Sequence, residues 1–417
     1  MEHLCIESQN MSSKNSSRPR FRRKQVFLLG GILLIGLNLR PAITGIAPLA
    51  ERLNASGIDL QSIGLMTTVP LLLFAVVGLW AGWAGNRFGF ARTLGTGLLL
   101  LAAGAFLRSI VIADGTMERI GGTILIGAGI ALGNVLLPAV VKSRFPNHTG
   151  VLTSLYSTAM NLGAALGIAV AIPMANSLST GWRGSLAAWG GLALFSLILW
   201  MPQMLSKPAP HSPTGALAGV RRLLREPIAW QVTAFMGIQS LLFYSIVAWL
   251  PTVLQFRGMS ESESASWVTA MQLIGCSASL VVPTLAGRCS SQSFWGVTCA
   301  LTTFTGLVGV LFFPEKYVPL ATILTGLGLN SGFGLALLMI ALRSADSRTT
   351  GHLSSMSQAI GYLLAAPAPW FIGWLSAETG NWTLSFGLLL IPALILAVLG
   401  FTVGRPGTVS VDNVQTP

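Results

Sequence analysis

Charge is what this 417-residue chain has least of: Asp, Glu, Lys and Arg together make up 9% of it, about a third of the roughly 25% usual in soluble domains. Apolar residues make up 52%, which excludes a water-soluble fold. Acids are scarcest. All 13, from Glu2 to Asp412, fall in expected loops, tails or span ends, and the four histidines, His3, His148, His211 and His352, are terminal or cytoplasmic in the same reading. With no buried cluster of His and carboxylate and no phosphate-cradling loop, the chain lacks the material of a membrane enzyme. The four cysteines, Cys5, Cys276, Cys289 and Cys299, show neither metal-ligand spacing nor paired extracellular positions, so no metal, disulfide or cofactor is expected. The formal net charge of +12 sits in short loops and forms no basic stripe on a folded soluble face, which argues against a nucleic-acid partner.

What the chain does have is length in its apolar runs, each near the roughly 20 residues that cross a hydrocarbon core of about 30 Å. They fall at 26–50, 62–85, 93–112, 120–141, 150–172 and 184–204, then at 228–254, 265–287, 293–313, 318–341, 351–374 and 383–403. The pattern predicts an all-α integral membrane protein of twelve transmembrane helices in two six-helix bundles, 26–204 and 228–404, embedded in a lipid bilayer. Residues 205–227, holding Pro208, Pro210, Pro213, Arg221, Arg222 and Arg225, read as a basic linker; 1–25 read as a disordered basic tail and 405–417 as a short polar one. A cleaved leader is not expected, because the first run is too long, contains Arg40 and leads into further spans.

Lys and Arg alternate between loops: with the N-terminus inside, 18 of the 25 lie on the cytoplasmic side. That bias predicts two cytoplasmic termini. The halves also echo one another. Thr123-Ile124-Leu125-Ile126-Gly127-Ala128-Gly129 matches Thr322-Ile323-Leu324-Thr325-Gly326-Leu327-Gly328 at an offset of 199, and the echo continues with Arg144 and Arg343 at 199, Thr149-Gly150 and Thr350-Gly351 at 201, and Trp182 and Trp382 at 200. A parallel six-plus-six repeat suits a carrier that holds its substrate between the halves and rocks them alternately open.

The loop after the second run, Gly82-Trp83-Ala84-Gly85-Asn86-Arg87-Phe88-Gly89-Phe90-Ala91-Arg92, resembles the loop signature of the major facilitator superfamily. Gly82, Arg87, Gly89 and Arg92 match it, whereas Asn86 stands where that signature has an acid and Phe90 where it has a basic residue. Within the superfamily the stretch from about Leu28 to Gly404 resembles the cyanate permease family, which includes CynX and the 2-nitroimidazole transporter NimT. The phrases that carry it are Leu39-Arg40-Pro41, Gly133-Asn134-Val135-Leu136-Leu137-Pro138, Ala229-Trp230-Gln231-Val232-Thr233, Gly361-Tyr362-Leu363-Leu364-Ala365-Ala366 and Gly380-Asn381-Trp382. The resemblance implies a monomeric carrier of a small anion or small heteroaromatic, with Gly82, Asn86, Arg87, Gly89 and Arg92 in a gating contact between helices.

Arg40 puts a full charge inside an apolar run, where it costs roughly 2.5–3.5 kcal/mol at a bilayer centre and so faces a bundle interior or an aqueous path. It is either a ligand for a small anion or paired internally with carbonyls and amides. Asn38, two positions away, points to another face of the helix. Asn134 lies mid-span among Gly129, Gly133 and Pro138, and serves either packing or a ligand. In the second half the candidates are Gln239, Tyr244 and Trp249 on the seventh run, Gln272 on the eighth, Asn330 on the tenth, and Gln358 and Tyr362, one helical turn apart, on the eleventh. Trp249 fits an interfacial aromatic belt equally well. Arg108, at the end of the third run, is expected to reach the headgroups along its aliphatic stem.

The expectation is a secondary transporter of the bacterial inner membrane. It moves a small anion, cyanate- or carboxylate-like, or a small polar heteroaromatic by alternating access, with Arg40 as ligand near the midplane. With no carboxylate at that depth, uniport, exchange and symport of substrate with a proton all remain open, as do import and export. The nearest rival is an efflux carrier for neutral, nitroimidazole- or drug-like compounds. A channel suits two related but unequal halves less well.

Overall fold

The computed structural model describes residues 23–58, 60–110, 116–205 and 216–411. Residues 1–22 of the basic tail expected at 1–25, residues 206–215 of the linker and residues 412–417 of the C-terminal tail thus lie outside the described residues. Among the described residues twelve helical stretches are long and apolar enough to cross a membrane: Gln25–Thr44, Val69–Phe88, Phe90–Ser109, Glu118–Arg144, Pro146–Ser177, Trp182–Met204, Pro227–Phe256, Ser266–Ala286, Ser293–Phe312, Glu315–Leu342, Ser347–Ser376 and Trp382–Val403. They are called the first to twelfth spans below. An even number of crossings brings the chain into the first span and out of the twelfth on one face, here the terminal face; the other is the far face.

Local sequence explains where these helices start and break. The second helix passes to the third through Gly89, whose φ of 92° a side chain would oppose. Asp346 caps the eleventh by accepting from the amides of Arg348 and Thr349 at 2.8 and 2.9 Å. The first span breaks as its proline demands: helix Arg23–Asn38 stops, Leu39 and Arg40 leave the ladder, and helix Pro41–Thr44 resumes with proline in its first turn.

The segments that repeat in sequence occupy equivalent places. The fourth and tenth spans are the two most enclosed, each buried over 83% of its apolar window. The fourth packs on the third where Gly97 and Gly104 meet Gly129 and Gly122; the tenth packs on the ninth where Thr303 and Gly306 meet Gly328 and Thr325. Small residues there let two backbones approach closely, the usual device of helix association in lipid. Trp200 and Tyr156 fill the first half, and Phe235 and Phe386 the second.

The halves meet along the second and eleventh spans and the fifth and eighth. A Cβ on Gly82 would lie 2.7 Å from the carbonyl carbon of Gly351, and one on Gly150 would lie 2.9 Å from the Cα of Gly287. The repeated Thr-Gly steps at 149–150 and 350–351 are therefore where each half touches the other. On the terminal side of Arg40, hydrogen bonds join the halves: Gly82 N to Ser355 Oγ at 2.8 Å, Thr284 Oγ1 to Ser154 Oγ at 2.8 Å, Thr158 and Ser279 hydroxyls at 3.2 Å, Ser157 and Ser279 hydroxyls at 3.4 Å, Gln358 Nε2 to the Asn134 carbonyl at 2.9 Å, and Asn86 Nδ2 with His352 Nε2 at 3.1 Å. The structure is a state closed on the terminal face.

Two local details are added to the sequence reading and one expectation changes. Part of the hydrophilic linker, Ala216–Leu223, is a helix; its Gly219 lies over His352, which is buried at the boundary between the halves. The polar tail docks: Val409 N donates to Arg343 O at 2.8 Å, Ala345 N donates to Val409 O at 2.9 Å, and Arg222 of the linker helix donates to the Val411 carbonyl. Val409 and Val411 supply apolar surface that the overall polarity of the tail conceals. Arg108 does not reach the headgroups. It is wholly buried and donates to the Ala42 carbonyl at 2.8 Å, because the break in the first span exposes a carbonyl and Gly122 lets the third and fourth spans close around the side chain.

Candidate functional site

Between the halves a narrow, closely packed cleft is lined by Arg40, Gln239, Ser240, Phe243, Tyr244, Phe333 and Tyr362. Arg40 comes from the first half and the rest from the second. The break at Arg40–Pro41 aims the arginine across the boundary: Nη1 donates to Asn161 Oδ1 of the fifth span at 2.9 Å, and the guanidinium carbon lies 4.7 Å from the Phe243 ring centre and 4.5 Å from that of Phe333. Aromatic faces within about 6 Å attract a cation. Two of them take the place an acid would hold, and among the described residues no carboxylate pairs with Arg40.

The rest of the wall is aromatic with few polar groups. Tyr244 and Tyr362 sit 6.0 Å apart between ring centres, Phe243 lies 5.4 Å from Tyr244, and Phe74 of the second span closes on Tyr362 at 5.1 Å. Gln239 donates Nε2 to the Leu329 carbonyl at 3.1 Å, while its Oε1 has no hydrogen-bond partner. Such a site offers one cation, an amide oxygen, a serine hydroxyl and two phenols around flat apolar faces.

Of the residues predicted from sequence, Arg40, Gln239, Tyr244 and Tyr362 are brought together here. Gln358 and Asn134 meet each other one turn nearer the terminal face. The fourth helix carries Pro138, which has no N–H for the carbonyl four residues earlier, and Gln358 supplies the missing donor to that Asn134 carbonyl. Gln272 and Asn330 pair within the second half, Nδ2 to Oε1 at 3.2 Å. Asn38 turns away to Leu34 O at 2.7 Å and Ser196 Oγ at 2.8 Å, and Trp249 donates to the Pro369 carbonyl at 2.7 Å while packing on Trp382 at 5.2 Å. Neither lines the cleft.

The sequence reading misses Asn161, Ser240, Phe243 and Phe333. Asn161 is a polar residue deep in an apolar span, the criterion that drew attention to Asn134, and could have been found that way. The two phenylalanines carry no such signal among 19. In the loop, Gly82 meets Gly351, Asn86 Nδ2 lies 3.1 Å from His352 Nε2 across the boundary, Arg87 is exposed, Gly89 makes the turn, and Arg92 Nε donates to Met204 O at 3.3 Å within its own half. Asn86, in the place of an acid, thus finds a histidine partner on the other half.

Twelve spans in two related halves around a small, mostly aromatic cleft holding one cation define a membrane carrier, not an enzyme. The model of the Major Facilitator Superfamily matches residues 26–369, and the chain belongs to that superfamily. It is 37% identical to the 2-nitroimidazole transporter of Escherichia coli (strain K12) over 92% of this chain and 96% of that one. It is 29% identical to the cyanate transport protein CynX of the same organism, over 89% and 96%. These likenesses agree with a cyanate permease-like branch. The proton:xylose symporter XylE shares the fold at a TM-score of 0.75 and 16% identity, covering 90% of this chain and 95% of that one. The protein is a multi-pass secondary transporter of small molecules in a lipid bilayer.

Proposed function

We propose that this transporter carries a small planar anion, cyanate- or carboxylate-like, or a small heteroaromatic bearing a polar group, with Arg40 as its ligand. One observation carries the reading. Arg40 stands in a helix break, half-buried, with no carboxylate partner among the described residues, at the wall of a narrow cleft between the halves. A planar guanidinium can give two parallel hydrogen bonds to a carboxylate or similar group, and flat aromatic faces suit a flat partner. The names of the two bacterial relatives, a nitroimidazole carrier and a cyanate carrier, support both ends of that range.

In the same reading the terminal face is cytoplasmic, since 18 of 25 basic residues fall on that side, and the membrane is the bacterial inner membrane. The bundles are 26–204 and 228–404, joined by 205–227, and the unit is a monomer. The state described then faces outward. An anion that neutralises Arg40 removes a charge from the boundary and lets the far side close.

A second reading, export of a neutral nitroimidazole- or drug-like compound, is favoured by the predominance of aromatic walls over charge. One panel separates them: thermal unfolding of the purified protein and of Arg40→Ala with cyanate, acetate, benzoate, 2-nitroimidazole and neutral heteroaromatics. A ligand at 100 times its dissociation constant adds about 2.7 kcal/mol of stability. Stabilisation by anions in the wild type alone supports the Arg40 reading. Stabilisation by neutral compounds in both proteins overturns it in favour of export.

A further inference from the structure

The third span holds a second cation that the transport reading leaves unused. Arg108 is wholly buried, and among the described residues no acidic side chain pairs with it. Its hydrogen bond runs from Nη2 to the Ala42 carbonyl at 2.8 Å, while Nε and Nη1 have no partner. For stability alone this is a poor use of the position. A buried charge carries a desolvation penalty of several kcal/mol, and apolar residues of similar volume often serve as well or better.

What Arg108 holds is the broken part of the first span. In the four-residue helix Pro41–Thr44, Gly45 N donates to Pro41 O at 2.9 Å, but Ile46 N turns to Ile43 O at 3.2 Å instead of reaching Ala42. The Ala42 carbonyl is thereby one of the end carbonyls that a terminating helix leaves over, and a cation is the favoured partner at that end. On the opposite side the same segment is held by the fifth span, through Thr44 Oγ1 to Ala164 O at 3.0 Å and Arg40 Nη1 to Asn161 Oδ1 at 2.9 Å. The short helix is gripped from two sides, with Arg40 at its leading edge. The grip depends on Gly122: a Cβ there would lie 2.8 Å from that of Arg108.

We infer that Arg108 is a positioning residue for Arg40: by fixing the Ala42 carbonyl it sets the register of the helix break and holds the guanidinium of Arg40 against Phe243 and Phe333. Its importance for transport rests on the reading of Arg40 as substrate ligand; its effect on where Arg40 sits does not. The test is phenylglyoxal labelling of Arg40 in the purified full-length protein, quantified by mass spectrometry of the peptide that contains it, with thermal unfolding in parallel. In the wild type, labelling is slow because two rings cover the guanidinium. In Arg108→Leu it rises several-fold while the unfolding temperature does not fall. In Arg108→Lys, whose ammonium still donates to Ala42, it stays near the wild-type rate.

Wild-type labelling of Arg40 in a folded Arg108→Leu overturns the inference, and so does fast labelling in a folded Arg108→Lys, which decides the matter should the leucine variant fail to fold. Labelling reports the place of Arg40 whether or not it binds substrate. The panel on Arg40→Ala reports binding, so failure of one reading is distinguishable from failure of the other.

Discussion

The amide of Gln358 in the eleventh span donates to the main-chain carbonyl of Asn134 in the fourth at 2.9 Å, across the boundary between the halves. That carbonyl is free because Pro138 cannot donate to it. Gln358→Leu leaves it buried without a donor in the terminally closed state alone, a loss of about 1–3 kcal/mol. The expected result is a shift toward the state open on the terminal face, read as lengthened distances between spin labels on the terminal ends of the second and eleventh spans. An unchanged distance distribution would remove this bond from the gate.

Gly82 and Gly351 set a second, steric condition. A Cβ on Gly82 would lie 2.6 Å from Ser355 Oγ and 2.7 Å from the Gly351 carbonyl carbon. Gly82→Leu is expected to fold but not to close on the terminal face, abolishing transport. Normal uptake by this variant would show that the close approach is dispensable.

On the proposed reading, Phe333 acts on substrate choice. Its ring stands 4.5 Å from the Arg40 guanidinium, and such contacts are worth about 0.5–2 kcal/mol. Phe333→Leu is expected to reduce stabilisation by 2-nitroimidazole while leaving that by cyanate, which has no ring to stack. Equal losses for both would give the ring a purely structural role.

The docked tail adds stability at the terminal face. Val409 is buried and bridges to Arg343 and Ala345 through its backbone. Val409→Asp places an unpaired carboxylate there and is expected to release the tail, with faster amide exchange across residues 343–350. Exchange as slow as in the wild type would mean that the tail does not depend on this side chain.

At the far end of the helix Glu261–Ala286, which carries the eighth span, Glu263 accepts from the backbone amide of Ser260 at 3.0 Å and from its hydroxyl at 2.8 Å, and these bonds hold its carboxyl below the usual value of 4.5. Because the folded-state value is the lower one, the contribution is fully present above the unfolded value and is lost as pH falls through the folded one. Amides of the first helical turn are therefore expected to exchange faster, relative to the intrinsic rate, as the pH falls below the usual carboxylate value of 4.5, and Ser260→Ala is expected to show this loss already at neutral pH. A pH-independent protection in the wild type would contradict the capping role.

Much of the architecture was legible in the order of residues. Hydropathy and length mark the twelve crossings, Pro41 marks the break, and the Thr-Gly steps at 149–150 and 350–351 mark the repeat of the two halves, while their place at the contact between them was not legible. Site residues were legible only where a polar group stands out from an apolar span: Arg40, Gln239, Tyr244 and Tyr362 in the cleft, Asn134 and Gln358 beside it. Asn38 met the same criterion and turned to Ser196, because one face of a helix cannot be told from another until its neighbours are in place.

By itself, then, the chain determined which segments enter the membrane, that they repeat, and that a cation enters with them, since hydropathy, helix breaking and charge act within a few residues. Tertiary structure decided what surrounds that cation. Phe243 and Phe333 reach Arg40 from the other half, Arg108 reaches Ala42 from 66 residues away, and Asn86 meets His352 at a separation of 266. Such pairings depend on the rotation of each helix about its axis, and that rotation is set by close packing at Gly82, Gly122 and Gly351 and not by any local preference.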